Sequence, residues 1–337
     1  MPDIWQKLKQ LNKPILLYGM GNGAEIMITQ LEKCGIQVQG FFASDDFVRG
    51  QYFKGKRVMT FSEAKQAFPD MVAIVSFGTQ RQEVIDNILS LDVPTFAPEV
   101  PVAGGPVFTY EFAKANKEKI EKVYSLLSDD FSKKVFKEII EYKLDGQIGH
   151  LINAETTEEE MFSLFSLDDN ETFLDLGAYN GDTVLKFTSF VKDYNEIYAL
   201  EPDIKNYNKL IKNTQNLKNI TCLNKAVSDS VGEISFSVKG GRNSRIGGEK
   251  MIQAVNVDSL DKNFTFIKFD VEGQEASALK GATRQIKNRA KMLVSAYHKS
   301  EDIFSLPLWV HRRNPDYKIF LRHLKYIPAW DTNYCFV

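Results

Sequence analysis

Short apolar runs alternate with amphipathic segments in two stretches of the chain. The first stretch covers about residues 12–102 and contains apolar runs of strand length with helical periodicity between them. Its predicted strands are 14–18, 38–43, 72–77 and 94–97. Because strands and helices alternate, this stretch predicts a small doubly wound α/β unit.

The second stretch begins near Leu151 and repeats the alternation on a larger scale. Its predicted parallel strands are 173–177, 197–201, 220–224, 264–270 and 292–297. The last two apolar runs, 317–324 and 333–337, lie close together and predict a terminal antiparallel hairpin. The whole pattern predicts a seven-stranded mixed sheet, with an antiparallel ribbon of 233–238 and 253–257 inserted into it.

A breaker cluster at residues 103–106, Ala-Gly-Gly-Pro, separates the two stretches. Residues 108–144 are helical in pattern, charged and free of proline, with Ile120, Val123, Tyr124 and Leu127 on one apolar face. We therefore expect a small Rossmann-like domain at 1–103, a helical connector at 104–150 and a second doubly wound domain at 151–337.

Composition excludes several classes of function. The 337 residues carry a net charge of −2 with dispersed basic residues, which gives no reason to expect a nucleic acid partner. No apolar run is long enough to span a bilayer, and residues 1–10 lack the apolar core of a signal peptide. The three cysteines form no CxxC pair. A cytoplasmic protein is expected, and the oligomeric state, including a homo-oligomer, is left open.

The strand, turn and helix at residues 171–183 carry the clearest chemical signal. Gly177 and Gly181 lie in the turn, where a ligand can approach the backbone at the end of a parallel strand. The next strand ends at Glu201, whose carboxylate can accept hydrogen bonds from both hydroxyls of a ribose. Together these features predict a nucleoside-type cofactor across the ends of two neighbouring strands.

Six motifs in order resemble the FkbM family of class I S-adenosylmethionine-dependent methyltransferases, over about residues 150–337. They are FLDLGAYNGDT at 173–183, ALEPD at 199–203, NKAVSD at 224–229, VDSL at 257–260, IKFDVEGQE at 267–275 and AYHK at 296–299. The resemblance implies transfer of a methyl group from S-adenosylmethionine to a hydroxyl. The expected acceptor is a sugar, a nucleotide sugar or a glycoconjugate.

The predicted cofactor-binding residues follow from these motifs. They are Asp175, Gly177, Asn180, Asp182, Thr183, Glu201, Pro202, Ala226 and Val227. Glu201 is the ribose ligand, and the resemblance places Ala226 and Val227 beside the adenine ring. Asp182 and Thr183 have an alternative role as caps of the following helix.

Asp270, Glu272 and His298 are the predicted catalytic residues, because the strands that end at Asp270 and His298 are expected to be neighbours. His298 is the candidate general base, since an unperturbed imidazole titrates near neutrality. The same three side chains could hold a divalent metal ion, Mg²⁺ or Mn²⁺, and the spacing does not decide. Glu275 fits a helix-dipole role at least as well as a catalytic one.

The first stretch leaves several hypotheses open. Residues 19–24, Gly-Met-Gly-Asn-Gly-Ala, fit a dinucleotide fingerprint, and Asp45 and Asp46 follow at a distance suited to a ribose. This unit could bind a nucleotide or nucleotide sugar, or serve only for docking. The alternatives to a methyltransferase are a nicotinamide-dependent oxidoreductase that uses this unit and a non-catalytic nucleotide-sugar-binding protein. Arg242 and Arg245 could contact an anionic acceptor.

Overall fold

The computed structural model describes residues 2–237, 245–246 and 250–337. A first sheet of six strands has the order β3-β4-β2-β1-β5-β6, in which only β3 is antiparallel to its neighbour. The strands are β1 (Ile15–Tyr18), β2 (Gly40–Phe42), β3 (Tyr52–Phe53), β4 (Lys56–Met59), β5 (Val72–Val75) and β6 (Thr95–Phe96). We call the part of the chain that builds this sheet, residues 2–102, the first lobe.

The β3–β4 hairpin was not predicted from the sequence. Its strands are short, and the turn between them consists of Lys54 and Gly55, both with positive φ, 49° and 76°. Two consecutive left-handed residues form the tight turn that suits a two-residue hairpin. Gly55 was thus the one feature of the turn that could have indicated a hairpin in the sequence. The flanking strands are too short to show an alternating pattern.

The helices of the first lobe cover both faces of its sheet. They are α1 (Ile4–Gln10), α2 (Asn22–Lys33), α3 (Phe61–Ala67) and α4 (Gln82–Leu89). A capping box starts α3, because the Thr60 side chain accepts from the Glu63 amide while the Glu63 carboxylate accepts from the Thr60 amide.

The connector consists of several helices, where the sequence indicated one helical segment at 108–144. They are α5 (Tyr110–Ala115), α6 (Lys117–Leu126), α7 (Asp130–Asp145) and α8 (Ile148–Ala154). The break before α7 follows from its cap, since the Asp129 side chain accepts from the Ser132 amide. On the predicted apolar face Val123 and Leu127 are buried, whereas Tyr124 is exposed.

The second sheet has eight strands in the order β10-β9-β8-β15-β16-β18-β17-β7. They are β7 (Glu155–Thr156), β8 (Thr172–Leu176), β9 (Glu196–Leu200), β10 (Ile220–Leu223), β15 (Phe266–Phe269), β16 (Lys291–Ser295), β17 (Ile319–Leu324) and β18 (Thr332–Phe336). The predicted terminal hairpin is confirmed by the antiparallel pairing of β17 with β18. The prediction of seven strands is one short, because the two-residue strand β7 pairs with β17 at the edge of the sheet.

The inserted ribbon forms a separate sheet of order β11-β14-β12-β13. Its strands are β11 (Ala226–Val227), β12 (Gly232–Ser237), β13 (Arg245–Ile246) and β14 (Lys250–Val255). The predicted antiparallel pairing of the ribbon is present between β12 and β14. Most of the loop that carries Arg242 lies outside the described residues, and nothing is described of the Arg245 side chain.

The remaining helices pack on the second sheet. They are α9 (Glu158–Ser163), α10 (Asp182–Phe190), α11 (Ile204–Thr214), α12 (Glu275–Lys280), α13 (Thr283–Lys287) and α14 (Asp302–Arg313). Among the described residues, no helix is both long and apolar enough to cross a bilayer.

Helix α7 links the two sheets through buried polar contacts as well as apolar packing. On the side of the first lobe, the Lys143 ammonium pairs with the Glu99 carboxylate, and both side chains are almost fully buried. On the side of the second sheet, the Arg322 guanidinium lies 2.6 Å from the Asp129 carboxylate at the start of α7. One end of the helix is therefore fixed to the first lobe and the other end to the second sheet.

Replacing Lys143 by Met should destabilise the protein by about 3–5 kcal/mol, because it leaves the Glu99 carboxylate buried without a counter-ion. Urea unfolding measures the change. The matched control is Lys137→Met on the same helix, since Lys137 pairs with Glu141 in solvent, and it should cost less than about 0.5 kcal/mol. Adding Glu99→Leu to Lys143→Met should restore most of the stability; equal costs for the two single variants would contradict the assignment.

Candidate functional site

A cleft of about 310 Å³ opens at the carboxyl ends of β8, β9, β15 and β16. This is the edge at which open parallel sheets bind ligands. Gly177, Glu201, Asp270 and Tyr297, each just beyond one of these strands, line the cleft. Gln80 of the first lobe also reaches it.

The turn after β8 is pressed against the end of β15. Gly177 has φ 81°, and a Cβ atom there would lie 1.9 Å from the Asp270 carbonyl oxygen. Its amide and that of Ala178 both donate to the Leu200 carbonyl of β9, at 3.0 and 2.9 Å. Only glycine fits this position, and the turn is held between the two neighbouring strands.

The Glu201 carboxylate is held at the cleft by backbone amides. One oxygen accepts from the Tyr179 amide and the other from the Asp203 amide, both at 2.8 Å. Burial raises the pKa of Glu201 to about 7, even though these amides favour the ionised form. The Asn206 side chain is a third hydrogen-bond partner of this carboxylate. A carboxylate has about four acceptor sites, so acceptor capacity remains for a diol.

Seven of the nine predicted cofactor-binding residues line the cleft. These are Gly177, Asp182, Thr183, Glu201, Pro202, Ala226 and Val227. Asp175 and Asn180 are not among the lining residues: Asp175 is fully buried in the sheet, and the Asn180 side chain accepts from the Asp182 amide at 3.2 Å. A contribution of these two residues to binding would therefore be indirect.

Lys268 is the residue that the sequence reasoning missed. Its ammonium lies 3.4 Å from an Asp175 oxygen and 3.3 Å from an Asp270 oxygen, between β8 and β15. Burial lowers the pKa of Lys268, but the two carboxylates outweigh it and raise the pKa above the usual value. Lys268 follows Ile267 in an otherwise apolar strand. A lysine within such a run is the feature of the sequence that could have identified this residue.

The carboxylates beside Lys268 respond differently to burial. Burial raises the pKa of Asp175 to about 6, because Lys268 offsets the desolvation only in part. Burial also acts on Asp270, but there the Lys268 ammonium and the His298 ring outweigh it and hold the pKa below its usual range. Asp270, which faces the cleft, is therefore ionised at neutral pH, and Asp175 is largely ionised there as well.

His298 lies in a cluster of three carboxylates. Its Nδ1 is 3.0 Å from Glu275, and its Nε2 is 3.6 Å from Asp270 and 3.7 Å from Glu272. Although burial lowers the pKa of His298, the carboxylates raise it to about 10, with Glu275 the strongest contributor. His298 is then an imidazolium at neutral pH, so the proton acceptor of this cluster is a carboxylate.

Glu275 does more than lie at the start of α12, because its carboxylate has several specific contacts. Besides facing His298, its carboxylate accepts from the Val271 amide at 2.9 Å and the Gly273 amide at 3.3 Å. It thus holds together the turn that carries Glu272, which has φ 52° in the left-handed region. This contact with His298 is a long-range feature that the sequence motif did not reveal.

Asp270, Glu275 and His298 place one ligand atom each within 4.8 Å of one another. Both ring nitrogens of His298 already face carboxylates, which suits a proton on each nitrogen rather than a free lone pair. A metal ion would have to displace one of these protons. The metal site that the sequence left open stays a prediction.

The glycine-rich turn of the first lobe has the close packing of a dinucleotide fingerprint. A Cβ atom on Gly23 would lie 2.2 Å from the Ser76 carbonyl oxygen, so α2 starts directly against β5. Asp45 and Asp46 are exposed in a short 3₁₀ helix after β2. Nucleotide binding at this turn stays a prediction.

Several solved structures are similar to the chain, and the match with a TM-score of 0.75 supports the fold. A methyltransferase FkbM from Methylobacillus flagellatus KT is 23% identical, with a TM-score of 0.75, and the match covers 96% of this chain and 90% of that one. An rRNA methylase from Streptococcus thermophilus, 14% identical with a TM-score of 0.37, matches 54% of this chain and 96% of its own. A candidate methyltransferase from Streptococcus mutans in complex with SAH, 12% identical with a TM-score of 0.36, matches 54% of this chain and 97% of its own.

No curated protein matches the chain significantly. The family model of the methyltransferase FkbM domain matches residues 175–328. These residues begin at the buried Asp175, include the lining residues from Gly177 to His298 and end in the loop between β17 and β18. Residues 175–328 of the chain therefore carry a methyltransferase FkbM domain.

Proposed function

We propose that the protein transfers a methyl group from S-adenosylmethionine to a hydroxyl of a sugar, a nucleotide sugar or a glycoconjugate. The observation that carries the proposal is the Glu201 carboxylate, fixed by two backbone amides beside the Gly177 turn. A carboxylate at the end of the second strand is suited to a ribose diol. The choice of acceptor rests on the resemblance of the motifs described above.

The cleft contains groups suited to each part of the cofactor. Glu201 would accept from the ribose hydroxyls, while Ala226 and Val227 offer an apolar wall for the adenine. Asp182, at the start of α10, would lie toward the positively charged methionine end. Asp175 would affect the cofactor site indirectly, because its side chain contacts Lys268 and does not line the cleft.

S-adenosylmethionine supplies the methyl group, carried on a sulfonium. Asp270 is the base in this proposal, because it is ionised at neutral pH and lines the cleft. The Tyr297 hydroxyl donates to Asp270 at 3.1 Å, and Lys268 lies against its other oxygen. These contacts orient the carboxylate, and the buried His298 ring supports both Asp270 and Glu272.

The direct test is a methyl-transfer assay against a panel of nucleotide sugars and glycans, read by mass spectrometry. A product heavier by one CH₂ supports the proposal. Nicotinamide-dependent oxidation, the alternative reached from the sequence, would instead show as NADH binding in a fluorescence titration, with no binding of S-adenosylmethionine.

Cofactor affinity should depend on pH through Glu201. With a pKa of about 7, the carboxylate must lose a proton to accept from both ribose hydroxyls, so binding weakens as the pH falls. We expect the Kd of S-adenosylhomocysteine to rise about tenfold from pH 8 to pH 6, measured by calorimetry. Glu201→Gln should bind weakly at both pH values and lose this dependence. An unchanged pH dependence in that variant would remove Glu201 from the ribose site.

Asp270→Asn should lower kcat by about 10²–10⁴-fold, because it removes the proton acceptor while keeping the shape of the side chain. The Kd of S-adenosylhomocysteine should stay within about twofold, since Asp270 is assigned to the acceptor side. His298→Gln should lower kcat less, by loss of orientation. Full activity of Asp270→Asn would refute the assignment of the base, whatever His298→Gln does.

A further inference from the structure

The loop that follows β5 in the first lobe reaches across to the second sheet beside the cleft. Thr79 and Ile327 exchange two backbone hydrogen bonds, at 2.8 and 2.9 Å, which form an isolated antiparallel bridge. Ile327 lies between β17 and β18, next to Tyr326, which lines the cleft. The two sheets are thus joined at the edge of the candidate site.

Gly78 of the same loop packs against an aromatic pair. A Cβ atom on Gly78 would lie 2.5 Å from the Trp330 ring and 2.9 Å from the Tyr326 ring, so a side chain has no room there. The Tyr326 and Trp330 rings are 5.5 Å apart and tilted by 37°, and both line the cleft. The first lobe therefore supports this aromatic wall from behind.

Gln80, two residues further on, is exposed and lines the cleft. Its amide makes no hydrogen bond to the described part of the chain. An amide both donates and accepts, which suits hydroxyl groups rather than a single fixed charge.

The charges around the cleft do not favour an anion. Six carboxylates belong to the described lining residues, against three lysines and the His298 ring. The Lys186 ammonium is paired with Glu158, and Lys268 with Asp175 and Asp270. A phosphate would therefore meet a predominantly acidic surface.

We propose that the first lobe is part of the acceptor site: Gln80 hydrogen-bonds an uncharged, polyhydroxylated acceptor that lies against Tyr326 and Trp330. This inference rests on the proposed function, because it identifies the acceptor end of the same cleft. Gln80 is an acceptor-binding residue in this proposal, and it contacts the acceptor rather than the methyl donor.

The test is saturation-transfer NMR on the full chain saturated with S-adenosylhomocysteine. The probes are the methyl α-glycosides of glucose, galactose and mannose, and the corresponding sugar 1-phosphates as charged counterparts. At least one neutral glycoside should bind the wild type more tightly than its 1-phosphate. Gln80→Ala should weaken this binding by about fivefold. Trp330→Ala should weaken it at least as much, and Trp330→Phe should restore most of it because an aromatic ring remains.

The matched control is Gln82→Ala, two residues beyond Gln80 at the start of α4, since the Gln82 amide donates to Asp86 away from this cleft. It should leave glycoside binding unchanged, and all four variants should keep the wild-type Kd for S-adenosylhomocysteine. Unchanged glycoside binding in Gln80→Ala refutes the role of the first lobe. Tighter binding of the 1-phosphates, or no binding of any glycoside, refutes the uncharged acceptor. Failure of the wild type to bind S-adenosylhomocysteine refutes the proposed function itself.

Discussion

The buried ammonium of Lys268 is the interaction on which the candidate site depends. It lies between Asp175 on β8 and Asp270 at the end of β15, two strands that pair in parallel with Lys268 opposite Asp175. Moving a single charge out of water costs several kcal/mol, so the fully buried Asp175 carboxylate would not remain ionised there without the cation. This cluster sets both the charge and the orientation of Asp270, which in turn faces Tyr297 and His298.

Backbone packing brings the groups of the cleft into the same small volume. The strand order β9-β8-β15-β16 places the ends that carry Glu201, Gly177, Asp270 and Tyr297 side by side. The contact of Gly177 with the Asp270 carbonyl then closes the gap between β8 and β15. A larger residue at Gly177 would push the turn away from both Glu201 and Asp270, so one glycine links the cofactor side to the acceptor side.

The first lobe and the segment that follows it also contact the second sheet near the cleft. Beside the Thr79–Ile327 bridge, the Ala103 amide donates to the His298 carbonyl at 3.0 Å, and the Ser300 hydroxyl donates to the Pro106 carbonyl at 2.8 Å. Both contacts lie close to the carboxylate cluster. The position of His298 thus depends on residues nearly two hundred positions earlier in the chain, through hydrogen bonds that no local pattern encodes.

The sequence by itself determined the alternation of strands and helices, the terminal hairpin and the residues of the Gly177 turn and of Glu201. These follow from apolar periodicity and from glycine and acid positions within a few residues of a strand end, which are local properties. The tertiary structure alone decided that Asp175 is buried beneath Lys268, that Glu275 pairs with His298 and that Gln80 reaches the cleft. Burial and pairing between distant segments set the charge of a side chain. For this reason the His298 imidazole, which the sequence predicts to be a base, is a cation in the folded protein.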